Sequence, residues 1–485
     1  GSQSNNIPKI ATGNECAKRY IQDESVVCVC NATYCDDIVR TIPKPGNYIT
    51  YTSSKAGLRF KTMRSTLCCS TNLVIDPNIK YQNVEGFGGA VTDAAGINWK
   101  QLTEPLQQYL IDSYFSNNGL EYNTIRVPIG GSDFSTHPYS YNELPVNDTK
   151  LSNYSLTQED HLYKIPMIKQ SMKAATQPVQ IIATTWSPPV WMKTNGAITG
   201  ISRLKEQYYQ TYADYHLKFL QKYSEEGIKI WAITTTNEPI NGVIPLARFN
   251  SLGWTPQAMT QWILNNLGPT IRNSNFNSTK ILAIDDQRYM IPLFFDNMIK
   301  YNSSVLRYID GVALHYYADF YTPASVISSF AEKYPNKMII ATEACEDVNK
   351  AVNYIHDIIE DLNHHVSGWV DWNLCLSPEG GPNWAKNFVD SPIIITSPNE
   401  FIKQPMFYAM GHFSKFIPRN STRIHVDNKS WLSNLKSVAF KTPQDTIVIV
   451  VYNRGSRKLV RISIGSQALK LKIDAASITT VEIKL

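Results

Sequence analysis

From about residue 84 the chain carries short apolar runs at fairly regular intervals. Each run ends in polar or aromatic residues and leads into a stretch of helical periodicity. The runs are Val84–Val91, Tyr122–Gly130, Val179–Trp186, Lys229–Pro239, Thr279–Gln287, Tyr308–Tyr317, Lys337–Cys345 and Val366–Leu374. Glu104–Phe115, Glu206–Glu225 and Ala351–His364 are among the helical stretches between them. Eight strands alternating with helices over about 290 residues predict a parallel (β/α)8 barrel rather than an open doubly wound sheet. Beyond about residue 430 the period falls to two, in Ser437–Lys441, Thr446–Asn453, Lys458–Ile464, Leu469–Ile473 and Thr479–Leu485. Turn chemistry at Pro443-Gln-Asp445 and Asn453-Arg-Gly455 separates these strands. They predict an all-β sandwich. The barrel accounts for the middle of the chain, so residues before 84 are expected to join that module. Residues 1–45 lack periodicity and are rich in Cys, Pro and Asn, and they read as a small stapled segment.

The length of 485 residues allows about three domains, or one large barrel with accessory modules. At 43% hydrophobic and 18% charged, wholesale disorder is excluded. The 27 Tyr, 17 Phe and 10 Trp suit surfaces that grip flat amphipathic ligands such as sugars. A net charge of +5 without a basic block argues against a nucleic-acid binder and permits loose attraction to acidic lipid. No apolar run approaches the roughly 18 residues of a membrane span. No signal peptide is visible, and Gly1-Ser2 reads as the start of a processed chain.

Four of the eight cysteines, Cys16, Cys28, Cys30 and Cys35, lie within twenty residues of one another. They allow three pairings or a zinc site, although a lone Cys16 fits zinc spacing poorly. Seven N-x-S/T sequons occur, at Asn31, Asn147, Asn153, Asn277, Asn302, Asn420 and Asn428. Together these features point to the secretory route, where disulfides persist and sequons can carry glycan. Cys68-Cys69, Cys345 and Cys375 read as free thiols, with Cys345 packing behind the site.

Reacting groups in such barrels sit at the C-terminal ends of the strands. The predicted ends carry Arg126, Trp186, Asn237 with Glu238, Asp285, His315 with Tyr317, Glu343, and Trp372 with Asn373. Glu238 and Glu343, 105 positions apart, fall on strands four and seven, which face one another across the mouth. Two carboxyls across a cleft are what glycosidic cleavage needs: one protonates the leaving oxygen while the other attacks the anomeric carbon or activates water. Arg126 is placed to keep a nucleophile ionised. Asn237 is placed to bond a sugar hydroxyl, and Trp186 and Trp372 offer apolar faces. The structural alternatives are plain. A single Glu at a strand end is usually a cap or surface group, and His315 could orient a carboxylate as well as move protons. Asp285-Asp286 reads as an ion pair with Arg288 before a cation site. His364-His365 reads as a solvated helix end. Gly86-Phe-Gly-Gly89 lacks the register of a nucleotide loop and reads as close backbone approach.

Ten motifs then carry a resemblance. They are Cys28-Val-Cys-Asn-Ala-Thr-Tyr-Cys35, Gly86-Phe-Gly-Gly-Ala-Val-Thr-Asp-Ala-Ala95, Ile125-Arg-Val-Pro128, Trp191-Met-Lys-Thr-Asn-Gly196, Asn237-Glu-Pro239, Asp285-Asp-Gln-Arg288, Thr342-Glu-Ala-Cys345, Asp371-Trp-Asn373, Pro378-Glu-Gly-Gly-Pro-Asn-Trp384 and Lys403-Gln-Pro-Met-Phe-Tyr408. From about residue 16 onwards the chain resembles the glucosylceramidases of glycoside hydrolase family 30. The resemblance implies a (β/α)8 barrel over residues 84–373 plus 405–417. It implies a β-sandwich from 40–83 plus 418–485, and a small β module from 1–39 plus 374–404. That module would be closed by Cys16–Cys28 and Cys30–Cys35. The implied activity is that of a retaining β-glucosidase cleaving glucosylceramide to glucose and ceramide, in the lysosomal lumen or as a secreted glycoprotein. Glu238 then matches the acid/base and Glu343 the nucleophile. Asp133, Trp186, Asn237, Trp372 and Asn387 match glucose-holding positions; Arg126, His315 and Tyr317 match the shell around the nucleophile. No metal or organic cofactor is implied. A saposin-type activator and anionic phospholipid are the implied partners. Two departures bear on aglycone and activator. Cys345 and Trp369 are only 24 positions apart, which implies a missing mouth loop, and Asn241–Ser251 carries Ala247-Arg248 in place of a more aromatic lip. Relatives acting on steryl β-glucosides, β-xylosides or β-1,6-glucan, and a catalytically silent glycan-binding barrel, are the alternatives.

Overall fold

A computed structural model describes residues 13–21, 25–66, 73–245, 248–346, 350–428 and 434–485. Cys68-Cys69, Gly1-Ser2 and Ala247 lie outside the described residues. The eight apolar runs form the strands β1 (Gly86–Ala90), β2 (Thr124–Ile129), β3 (Gln180–Thr185), β4 (Ala232–Thr234), β5 (Lys280–Gln287), β6 (Gly311–His315), β7 (Met338–Glu343) and β8 (Gly368–Asn373). They close in chain order into a parallel barrel. Alternation along each strand divides the core. Ile182, Ala232, Leu282, Ala313, Ile340 and Val370 meet as one apolar cluster drawn from six successive strands. Their neighbours Ile181, Ile233, Ile281, Val312 and Ile339 join the large core shared with the helices. Filling the barrel with layered branched side chains leaves the chemistry to its C-terminal rim. Gly88 shows why the glycine-rich first strand is needed. A Cβ there would stand 1.6 Å from the Thr124 carbonyl oxygen of β2, so only glycine lets the two backbones approach.

The helix Asp93–Gln101 that follows β1 starts where Thr92 turns its hydroxyl back onto the Ala95 amide at 3.0 Å. The same hydroxyl donates to Asn373 Oδ1 at the end of β8, at 2.6 Å. This fixes the first helix to the rim.

Nine further strands hydrogen-bond in one series running from Gln467–Ile473 to Lys61–Thr66. The series folds over on itself as a sandwich. Tyr48, Ile449 and Val481 pack in one core with Ile462 and Leu469 from its other end, and the Tyr48 hydroxyl reaches the Lys470 carbonyl at 3.5 Å. The strands Asn47–Ser54, Lys61–Thr66 and Leu73–Asn83 supply the part of this module that precedes the barrel. A separate four-stranded antiparallel sheet joins Lys18–Ile21 and Ser25–Asn31 to Glu400–Lys403 and Ile393–Ser397. The disulfides Cys16–Cys28 and Cys30–Cys35 staple it. Buried Asp36 ties this sheet to the barrel by accepting from Lys403 Nζ at 2.8 Å and the Tyr408 hydroxyl at 2.5 Å. Among the described residues, no helix is long and apolar enough to cross a membrane.

Candidate active site

The strand ends and the segments that follow them bring the expected catalytic and sugar-holding residues to one place. Asp133, Trp186, Asn237, Glu238, Tyr317, Glu343, Trp372 and Asn387 line a single cleft of about 560 Å³ at the barrel mouth. Arg126 and His315 lie buried beneath it. Glu343 is the last residue of β7, whereas Glu238 stands four residues beyond β4. Glu238 is held at φ +40°, a left-handed backbone that costs a non-glycine residue energy. Its amide donates to the Asp285 carbonyl at 2.9 Å, which fixes the bend. Carboxylate oxygens of Glu238 and Glu343 come within 4.8 Å of each other, with a ring nitrogen of His315 inside the same distance.

Each group is tied by named bonds. Arg126 donates through Nη1 to Glu343 Oε1 at 2.7 Å, and through Nη2 to Asn237 Oδ1 at 2.9 Å and Asp285 Oδ2 at 3.0 Å. Its guanidinium lies 4.8 Å from the Trp186 ring centre and 5.3 Å from that of Trp372, against rings stacked at 5.4 Å. The Tyr317 hydroxyl donates to Glu343 Oε2 at 2.6 Å. His315 Nδ1 faces Glu238 Oε2 at 2.6 Å and Nε2 faces Asp285 Oδ1 at 2.7 Å. Asn241 donates to the other Glu238 oxygen at 2.8 Å. Asp133 accepts from the side-chain amides of Asn383 and Asn387, both at 3.1 Å.

The electrostatics follow from burial and these partners. Burial opposes charge on Asp285, but Arg126 and His315 outweigh it and hold that carboxyl far below the usual range. Burial likewise opposes the imidazolium of His315, yet Glu343, Asp285 and Glu238 keep it charged well above the ordinary histidine range. Burial pushes the Glu343 carboxyl up, and the nearby Glu238 adds to this, while His315, Arg126 and the Tyr317 hydroxyl pull it back. An arginine acting alone would lower it. Burial raises Asp133 to about 7, with its two amide donors working in the opposite direction.

Two sequence expectations change. Asp285 does not pair with Arg288. A bulge in β5 between Ile284 and Asp286 turns it into the barrel, onto Arg126, His315, Thr234 and Thr342. Arg288 instead meets Asp319, Asp357, Glu360 and Asp361 outside the barrel. Cys345 does not pack behind the site: it lines the cleft, with its sulfur 3.2 Å from the Tyr317 hydroxyl. Asn241 and Asn383 were not singled out. Asn383 stands inside the quoted Pro378–Trp384 motif, and Asn241 three residues after Glu238 at helical spacing was the available signal.

A sequence model for the glycosyl hydrolase family 30 TIM-barrel domain matches residues 84–417, well over half of the chain. The chain belongs to glycoside hydrolase family 30. The family's β-sandwich domain matches residues 420–481. The chain is 42% identical to lysosomal acid glucosylceramidase of Mus musculus over 465 residues, covering 91% of this chain and 90% of that one. It is 43% identical to putative glucosylceramidase 3 of Caenorhabditis elegans over 425 residues, covering 82% and 81%. Among solved structures, SrfJ from salmonella typhimurium superimposes with a TM-score of 0.84 at 24% identity, covering 90% of this chain and all of that one, a likeness of fold. This family 30 protein is therefore a glycoside hydrolase.

Proposed function

We propose that the protein is a retaining exo-β-glucosidase that cleaves glucosylceramide to glucose and ceramide through a covalent glucosyl-enzyme intermediate. The observation that carries this reading is the close approach of Glu238 and Glu343, within 4.8 Å between oxygens. Retaining enzymes hold their carboxyls about 5–5.5 Å apart, whereas inverting ones need room for a water. The glycolipid is favoured by the two glucosylceramidase relatives and the extent of the match.

Charge balance distributes the roles. Asp285 and His315 neutralise one another, which leaves Arg126 as the permanent cation for one further anion. Arg126 and Tyr317 both donate to Glu343, so the anion belongs there and the proton of the pair belongs on Glu238. Glu343 attacks the anomeric carbon while Glu238 gives its proton to the departing ceramide oxygen. Glu238 then takes a proton from the water that releases glucose. The Asn237 amide oxygen is occupied by Arg126, so its NH2 end is the one offered to a sugar hydroxyl. Asp133 accepts from two amides and has a lone pair left for another hydroxyl, and the stacked Trp186 and Trp372 form an apolar wall.

The lysosomal lumen or the secretory route is the proposed setting. Two disulfides support it, as do sequons whose asparagines at 31, 147, 153, 277 and 420 are exposed. Asn302 and Asn428 are half-buried. A saposin-type activator and anionic phospholipid are the proposed partners in presenting a substrate whose ceramide stays in a membrane. The test is a substrate panel of glucosylceramide, a steryl β-glucoside, a β-xyloside and β-1,6-glucan, with proton NMR of the first sugar released. Preference for glucosylceramide with β-glucose formed first is the expected outcome. First-formed α-glucose, or preference for another panel member, would refute it.

A further inference from the structure

We propose that a second cavity, beside the sugar cleft, receives one hydrocarbon chain of the glycolipid. This rests on the glucosylceramidase reading above and adds to it where the lipid goes. The cavity measures about 1020 Å³, larger than the cleft that holds the carboxyls. It lies where the four-stranded sheet, the sandwich and the start of helix Ala351–Asn363 meet. Val26 and Ile394 come from the sheet, Val352 and Ile355 from the helix, and Ile478 from the sandwich.

Two observations point to an aglycone chain rather than to an unrelated ligand. First, the two spaces adjoin. Lys350, Asn353 and Val389 belong to the walls of both. Asn353 Nδ2 donates to Glu346, a cleft residue, at 3.0 Å, and the Glu346 carbonyl accepts from the Asp390 amide at 2.8 Å. Second, large apolar side chains are left open on both sides of this wall. Val352 is 51% exposed and Phe388 37% on the cavity side, and Phe320 is 51% exposed on the cleft side. Such clustering marks a binding surface for apolar material. Of the three cations on the cavity lining, Lys55 and Lys350 are exposed and Lys350 pairs with Glu346 at 3.7 Å, while the half-buried Arg59 does not call for an anion: its two terminal nitrogens already donate to the carbonyls of Ser54, Leu58 and Val26. A glucose ring fits a site of a few hundred Å³, so only the aglycone needs the additional volume. Burying each methylene there is worth about fourfold in binding.

The test uses glucosylceramide with a diazirine on its N-acyl chain, in vesicles of phosphatidylcholine and phosphatidylserine, with full-length Glu343→Gln protein. After irradiation, cross-links are mapped by mass spectrometry. The expected result is labelling at residues 351–355 and 388–394 that falls when a tight glucose-mimicking inhibitor occupies the cleft. In protein with Glu343 intact, Val352→Trp should lower kcat/KM for glucosylceramide at least tenfold relative to kcat/KM for an aryl β-glucoside. A merely structural effect would lower both and leave the ratio alone. If the parent hydrolyses glucosylceramide but the chain cross-links only near Phe320 and Tyr321, the proposal falls and the glucosidase reading stands. Cavity labelling that persists with the cleft occupied assigns the cavity to a separate lipid and overturns the proposal as well. Failure of the parent to hydrolyse glucosylceramide at all overturns both.

Discussion

His315 and Asp285 form a buried ion pair, Nε2 to Oδ1 at 2.7 Å, directly beneath the two glutamates. The other ring nitrogen of His315 is 2.6 Å from Glu238 and 3.6 Å from Glu343. Its positive charge therefore bears on both carboxyls.

Removing that charge moves the pH dependence in a known direction. A nearby cation favours the ionised form of a carboxyl, so its loss raises the Glu343 carboxyl further. For His315→Gln, the acidic limb of the kcat/KM profile on an aryl β-glucoside is expected to move to higher pH by about one unit or more. A fall in rate with an unmoved acidic limb would show that His315 only fills space.

Glu238→Gln separates the proton donor from the nucleophile. Glucosylceramide has a poor leaving group, and its kcat/KM is expected to fall by about 10²–10⁴-fold. An aryl β-glucoside with an acidic phenol leaves without protonation and should lose far less in the first step. Added azide should restore turnover and yield β-glucosyl azide. Equal losses on both substrates, without azide rescue, would remove Glu238 from the acid/base role.

Tyr317→Phe deletes one donor to Glu343, a bond of 2.6 Å. A hydrogen bond to a charged group is worth about 1.5–3 kcal/mol, so kcat/KM should fall about 10- to 100-fold while the thermal midpoint stays near that of the parent. An unchanged rate would mean that Arg126 suffices to hold the nucleophile.

Stability should be greater in acid than at neutral pH. Arg288 faces four acids, of which Asp319, Asp357 and Asp361 are buried. Burial, followed by repulsion from Asp361, raises Asp319 to about 7. Burial and mutual repulsion hold Asp357 and Asp361 well above the ordinary range. The folded protein thus keeps protons that the unfolded chain releases near pH 4. The stability that this cluster contributes declines as pH rises from about 4 through 7, whereas buried His216 and His412, pushed down to about 4 and about 3, act in the opposite sense below about pH 6.5. Asp285, held low, acts in the opposite sense but only in stronger acid. Thermal unfolding should show a higher midpoint at pH 5 than at pH 7.5, and Asp319→Asn should narrow the gap. A maximum at pH 7.5 would contradict this.

The barrel was legible because its strands are apolar on both faces and recur at even spacing, and all eight runs became strands. The sandwich was legible from its period of two. Strand-end position alone brought Glu238 and Glu343 together. What the sequence concealed were contacts set by a local irregularity or by distant chain. Sequence proximity pairs Asp285 with Arg288, because alternation along a regular strand does not anticipate the bulge at Ile284–Asp286. Its real partner Arg126 lies on β2, 159 positions away. Counting two residues past Glu343 puts Cys345 behind the cleft, but β7 ends at Glu343 and alternation ends with it. The neighbouring cavity was invisible, since two separate sheets and a helix, distant in sequence, contribute to its walls.

The most direct measurement is to incubate the protein with a 2-deoxy-2-fluoro-β-glucosyl inhibitor, digest it, and locate the added sugar by mass spectrometry. The expected result is one sugar per chain, ester-linked to Glu343 within the Thr342–Cys345 peptide, with activity lost in step. A sugar on Glu238 or Cys345, or no adduct while hydrolysis of β-glucosides proceeds, would contradict the covalent mechanism built on the Glu238–Glu343 pair.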